Sequence, residues 1–271
     1  MKKVILATSS PLGEEAIGKV AQHLAEGLAQ AGLLLRFFHA DGRPLKVSGG
    51  YSRALAPFRI PALGRFGVGR SFLQRRQGTF YQKKVAQEIH RGEAGLFYGW
   101  VLQSQKPLEA CRFLGVKSVL ECGMIYPPVF RDLLAAEFQR YNIPLPWHLG
   151  PKRVADSLYE LGLADIIAAP SQLVVDTFIA HGVKQEKFLI MPPGVDCNHF
   201  RPSDVPEAKN QWALYIGRLE LAKGVHHLIS AWQRVKKPGR RLVLIGNLQP
   251  CLKAWLETNS RMLVENIEFV G

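Results

Sequence analysis

Hydrophobic and polar positions along this chain keep two alternating rhythms. Residues 4–7 (Val-Ile-Leu-Ala) form a short apolar run closed by Thr8, Ser9, Ser10 and Pro11, which predicts a buried strand over 3–8. Ile17, Val20, Leu24 and Leu28 then recur at steps of three and four, the stripe of a helix, and Gly32 supplies its stop. Residues 33–38 read as a second strand. Strand, helix and strand within about 36 residues make a βαβ unit, which implies a parallel sheet.

The rhythm breaks after residue 41. Pro44, Pro57 and Pro61, with glycines at 42, 49, 50, 64, 67 and 69, predict loop, and helical spacing resumes near Ser71 and runs to about His90. Alternation then returns: strand 95–98, helix 103–114, strand 117–121, helices between about 128 and 161, strand 165–169, helix 172–181 and strand 187–191. Pro192, Pro193, Pro202 and Pro206 mark a stiff connector. Beyond it, 213–216, 225–235, 241–245, 248–258 and 267–270 give βαβαβ again. The fold class expected is α/β with two Rossmann-like, doubly wound parallel-sheet domains: 1–197, a linker over 198–210, and 211–271.

Length and charge sharpen this picture. At roughly 150 residues per domain, 271 residues fall a little short of two domains. An apolar fraction of 47% with 21% charged is globular composition. Cys111, Cys122, Cys197 and Cys251 are far apart with no C-x-x-C, which argues for a reducing compartment and against a disulfide framework or zinc ribbon. The opening apolar run is too short for a signal peptide and no stretch is long enough for a membrane span, so a cytoplasmic protein is expected. The net charge of +13 is concentrated: residues 42–87 carry ten cations (Arg43, Lys46, Arg53, Arg59, Arg65, Arg70, Arg75, Arg76, Lys83 and Lys84) and no acid. Phe58, Phe66, Phe72, Phe80 and Tyr81 are interleaved with them. That mixture suits a phosphate-bearing acceptor or the anionic inner face of a membrane; single-stranded nucleic acid ranks last, because no nucleic-acid module accompanies it.

In α/β folds ligands sit beyond the carboxyl ends of strands. After strand 213–216 comes Gly217-Arg218-Leu219-Glu220-Leu221-Ala222-Lys223-Gly224, two cations flanking a strand-to-helix turn. Cations and a helix N-terminus aimed at one spot suit a diphosphate. The segment is neither a Walker A loop nor a G-x-G-x-x-G. Three further segments accompany it in order: Ala164-Asp165-Ile166 through Ser171, Pro192-Pro193-Gly194-Val195-Asp196 with Phe200-Arg201-Pro202, and Leu244-Ile245-Gly246-Asn247. Together, over roughly 160–271, they resemble the retaining nucleotide-sugar glycosyltransferases of GT-B architecture (glycosyl transferases group 1, family 4-like).

The resemblance implies that Arg218 and Lys223 neutralise the donor diphosphate, with no metal and no cofactor beyond the nucleotide-sugar itself. It implies that Gly13, Gly217, Gly246 and Asn247 belong to loops that meet donor or acceptor. Gly13 is the lone glycine of a loop that also holds Glu14 and Glu15. Tyr126 stands where many relatives carry a His near the sugar, and Glu121, at a strand end, is the other weak candidate for a catalytic role. The 194–196 turn and His148 are expected to be structural. Relatives continue with a glutamate pair spaced E-x7-E and further βα units, so the second domain is expected to be incomplete, its C-terminal part lacking. The activity implied is transfer of a sugar from a nucleotide-diphosphate donor to an acceptor glycan, lipid or other small molecule, with retention. The alternative is a non-catalytic binding or scaffold protein derived from the same fold.

Overall fold

The structure is a computed structural model and describes residues 3–10, 16–39, 51–54, 67–202, 212–235, 239–262 and 266–271. The chain forms two compact units, one of Met1–Pro128 with Pro151–Pro193 and one of Val129–Gly150 with Gly194–Gly271.

The first unit runs β1 (Lys3–Thr8), α1 (Ala16–Gln30), β2 (Leu34–His39), β3 (Tyr51–Ala54), α2 (Gly67–Ile89), β4 (Ala94–Trp100), α3 (Gln105–Leu114) and β5 (Lys117–Glu121). After α4 (Pro127–Arg140) it continues with α5 (Pro151–Leu163), β6 (Ile166–Ala169), α6 (Gln172–Ile179) and β7 (Phe188–Ile190). The strands form one sheet in the order β3-β2-β1-β4-β5-β6-β7, every pair parallel. Chain direction along the sheet reverses between β1 and β4, the switch point of a doubly wound sheet. Period-two alternation divides its side chains. Ile5, Phe97, Leu120 and Ile167 face a core with Tyr81, Val85, Leu108 and Phe178, while Val4, Leu6 and Tyr98 pack with Ala21 and Ala25 of α1. Gly32 takes φ +68°, the left-handed conformation that closes α1 and turns the chain into β2.

Two features depart from the sequence expectation. The stretch read as loop holds β3, which pairs in parallel with β2 from Arg36↔Tyr51 to His39↔Ala54. Four residues between turn signals show no period, and it is the backbone ladder that makes them a strand. Helix α2 also begins at Gly67, ahead of Ser71, with the supposed breakers Gly67 and Gly69 in its first turn. Its far end is fixed by packing, since Tyr81, Val85 and Ile89 are fully buried.

The second unit contains most of α4, then β8 (Trp212–Ile216), α7 (Val225–Val235), β9 (Arg241–Ile245), α8 (Pro250–Thr258) and β10 (Ile267–Val270). Its sheet is parallel, in the order β10-β9-β8. Val225, Ile229 and Trp232 of α7 recur at helical spacing and bury against Leu242 and Leu244 of β9 and Leu252, Trp255 and Leu256 of α8. Helix α4 joins this core through Phe138, with Leu134 and Tyr141 packed beside it. That apolar stripe is why 129–150 group with the second unit although they lie within the first 197 residues. On the opposite face of β8, Trp212, Leu214 and Ile216 alternate outward and are exposed.

Candidate functional site

The carboxyl ends of β8, β9 and β10 form a stepped shelf of backbone. Gly217 donates its N–H to Ile245 O (2.9 Å) and Gly246 donates to Val270 O (2.9 Å). Beyond the strands the pairing continues, Leu219 N–H to Asn247 O at 3.0 Å and Gln249 N–H to Leu219 O at 3.0 Å. Gly246 sits at φ +143°, and a Cβ there would lie 1.9 Å from the Gly217 carbonyl oxygen. No side chain fits that step, so glycine is required by close approach as well as by conformation. A Cβ on Gly271 would likewise come within 2.7 Å of Gly246 O. Three successive strands thus end on bare backbone, a surface a ligand can approach closely.

Arg218 and Lys223 stand on the turn that leaves this shelf. Arg218 directly follows Gly217, and its carbonyl accepts from the Tyr215 hydroxyl at 3.0 Å. Its guanidinium is 66% exposed and ion-paired with Glu220 at 2.9 Å, the carboxylate itself only 14% exposed. Lys223 is exposed and ends a 3-10 turn over Leu221–Lys223, which Gly224 closes at φ +70° before α7 begins at Val225. Buried Leu221 pins that turn to the core. Both cations therefore project from a turn fixed by packing, beside a helix N-terminus. Glu220 carries no signal in the sequence, yet it is the carboxylate with which the Arg218 guanidinium pairs. Asn247 is exposed next to Gly246 and contributes its backbone carbonyl to the pairing with Leu219.

In the first unit, the loops after β1 and β4 are tied together at the switch point. The Gln103 side-chain oxygen accepts from Thr8 Oγ1 at 3.1 Å and from Ser9 N at 2.6 Å. Leu102 holds φ +69°, a conformation costly for a non-glycine residue. Buried Glu160 of α5 compensates by accepting from Leu102 N at 2.5 Å and Ser104 N at 3.2 Å. Burial drives the Glu160 carboxyl up to about 7 despite those amide donors. Glu121 ends β5, and burial raises its carboxyl while the Tyr98 hydroxyl, donating at 2.8 Å, pulls it partly back. Tyr126 is held in packing: its N–H donates to Thr177 Oγ1 (3.0 Å), its ring stacks on His181 at 4.4 Å, and it meets Phe178 edge-on at 5.4 Å. Gly13 lies outside the described residues, as do Arg43, Lys46, Arg59, Arg65, Phe58 and Phe66. Of the basic segment's aromatics, Phe80 is exposed beneath Lys84 Nζ, whereas Tyr81 turns inward and donates to Phe38 O.

Several motif residues prove to be scaffold. Asp165 accepts from Ser118 N and Ser118 Oγ, both at 2.9 Å, and pairs with Lys117 at 3.1 Å, stapling the start of β5 to the approach to β6. Burial would raise its carboxyl, but Ser118 and Lys117 outweigh that and hold it below the usual value. Ser171 caps α6 by accepting from Val174 N. In the 194–196 turn the work falls to Asp196, whose Oδ1 accepts from Asn198 N at 2.9 Å and His199 N at 3.3 Å, and not to a left-handed glycine. His148 is exposed in a 3-10 turn. A depression of about 310 Å³ lies at the amino ends of β5 and β6, lined by Arg112, Lys117 and Asp165 among others, away from the carboxyl edge. Among the described residues, one group could hold a metal: Glu137, His226 and His227.

No family profile matches the chain. Two D-inositol 3-phosphate glycosyltransferases are similar to parts of it. That of Segniliparus rotundus is 29% identical over 103 residues (32% of this chain and 23% of the relative), and that of Acidothermus cellulolyticus is 24% identical over 160 residues (45% and 35%). The chain thus spans 23% and 35% of these two relatives' own length. Among solved structures, Anabaena HepE in complex with UDP and glucose matches all of this chain and 69% of its own, with TM-score 0.59 at 18% identity. Sucrose-phosphate synthase from Thermosynechococcus elongatus matches all of this chain and 70% of its own, TM-score 0.64 at 14% identity. The catalytic domain of Arabidopsis thaliana starch synthase IV bound to ADP and acarbose gives 0.63 at 14% identity. These likenesses establish a GT-B-type α/β fold. Among the described residues no helix is long and apolar enough to cross a membrane.

Proposed function

We propose that this chain binds a nucleotide-diphosphate sugar on the glycine shelf of its second unit and belongs to a glycosyltransferase that acts with retention and without a metal at the donor. The observation that carries this reading is the turn itself. Arg218 and Lys223 leave the side-chain-free carboxyl edge of β8–β10 next to the start of α7. When the bond between the sugar and the diphosphate breaks, charge grows on the departing phosphate oxygen. Fixed cations stabilise that charge without reorganising. Glu220 pairs with Arg218 at 2.9 Å and keeps the guanidinium's charge at the edge of the shelf. UDP in HepE and ADP in starch synthase IV support the ligand class, and the overlaps with the two inositol-phosphate transferases support sugar transfer. The acceptor would be met by the first unit, with the basic residues of 42–87 favouring a phosphate-bearing molecule or an anionic lipid surface, on the cytoplasmic side.

The experiment is a screen of UDP-, ADP- and GDP-sugars for nucleotide release, with the anomeric configuration of any product followed by NMR. Turnover with one donor, reduced at least about a hundredfold in Arg218→Ala, supports the assignment. Unchanged turnover in that variant refutes it. The Arg218–Glu220 pair also fits a second reading, in which the turn is internally neutralised and the chain is a binding or scaffold protein. Nucleotide binding with no donor turned over favours that one.

A further inference from the structure

The first turn of α7 carries two consecutive histidines that face one carboxylate of α4. Glu137 Oε1 lies 2.6 Å from His226 Nε2 and 3.0 Å from His227 Nε2. One ligand atom from each residue falls within 4.8 Å of the other two. Neighbouring residues on a helix usually diverge by about 100°. Here the rings instead lie 3.9 Å apart between centroids, both nitrogens turned to the same oxygen. The three residues differ in burial. His226 is 1% exposed and enclosed edge-on by Tyr141 and Trp255, Glu137 is 20% exposed, and His227 is 57% exposed.

The Glu137 carboxylate can accept from both imidazoles, and Arg140 lies 3.8 Å from its other oxygen. What sets the cluster apart is that two imidazole nitrogens converge with one carboxylate oxygen on a single spot. Two imidazole nitrogens and a carboxylate oxygen are the ligand set of a tetrahedral divalent metal, and zinc accepts it with one position left for solvent. Ligands about 2.0–2.1 Å from zinc stand roughly 3.3 Å apart. The His227 separation of 3.0 Å comes near that, whereas the 2.6 Å between Glu137 and His226 is a hydrogen-bond distance that metal binding would have to widen by about 0.7 Å through movement of the carboxylate. Magnesium or calcium, which take oxygen ligands, do not suit the set.

We infer that Glu137, His226 and His227 form a zinc-class metal site that fastens α4 to the first turn of α7. This site is separate from the donor chemistry and does not depend on it. It would also stiffen the segment that follows Lys223, since Gly224 alone separates that residue from α7.

The test uses tag-free protein freed of metal by a chelator and titrated with Zn²⁺, then with Co²⁺. One Zn²⁺ bound per chain, a raised melting temperature, and cobalt spectra of a tetrahedral nitrogen–oxygen site without thiolate charge-transfer bands are expected. His227→Ala removes an exposed ligand and leaves the Glu137–His226 pair, so it should fold as the parent while losing at least about tenfold in affinity. Glu137→Gln should lose as much. Absence of uptake overturns the inference. So does uptake that His227→Ala leaves unchanged, or a cobalt spectrum dominated by thiolate, which would point to cysteines instead.

Discussion

Glu160 offers the sharpest quantitative check on the architecture around the switch point. Its carboxylate is buried, holds the left-handed Leu102 through a 2.5 Å bond, and is raised from 4.5 to about 7 by burial. In the unfolded chain it loses its proton near 4.5; in the folded chain it keeps it to about 7. Between those values the folded state binds more protons, so stability falls as pH rises. At about 1.4 kcal/mol per pH unit, the whole window is worth roughly 3 kcal/mol. Glu160→Gln cannot ionise. It sets its own pH-independent cost of about 1–3 kcal/mol by presenting an amide NH₂ to one of the two backbone donors. Urea unfolding followed by circular dichroism, across pH about 4.5 to 8, should therefore show the parent losing roughly 3 kcal/mol relative to the variant as pH rises. Parallel curves for the two proteins would refute the reasoning, because they would mean that Glu160 titrates alike folded and unfolded.

Gly246→Ala places a methyl 1.9 Å from the Gly217 carbonyl oxygen, and should cost more than about 2 kcal/mol or prevent the second unit from folding, read by urea denaturation. Asp165→Ala leaves the Ser118 amide and hydroxyl without their acceptor and should cost about 1–3 kcal/mol by the same measurement; a neutral effect would deny the staple its role. Binding to anionic phospholipid vesicles through the 42–87 segment should weaken steeply between low and physiological salt, and co-sedimentation indifferent to salt would remove the electrostatic reading.

The fold was largely legible because burial imposes period. The strand-and-helix alternation gave both parallel sheets, and the five elements from β8 to β10 follow the expected order. What period cannot show was missed. Strand β3 is specified by hydrogen bonds to β2, and the burial that Tyr81, Val85 and Ile89 provide fixes the far end of α2, not its start at Gly67. The allegiance of α4 to the second core depends on Leu134 and Phe138 meeting α7 and α8, contacts with no local signature. At the site, Gly217, Arg218, Lys223 and Gly246 could be singled out because they follow strands. Glu220 could not, because its role lies in a short-range pairing that only the turn's shape creates. Glu137 and His226 are 89 positions apart, so their meeting had no sequence signal either.

The central claim is that the turn after β8 is a diphosphate site. Calorimetric titration of UDP into the parent chain and into Arg218→Ala tests it most directly. The claim requires that the parent bind UDP and that the variant bind at least about tenfold more weakly, the value of a charge-assisted contact to phosphate. Equal affinity in the two folded proteins, or no binding by either, would contradict it.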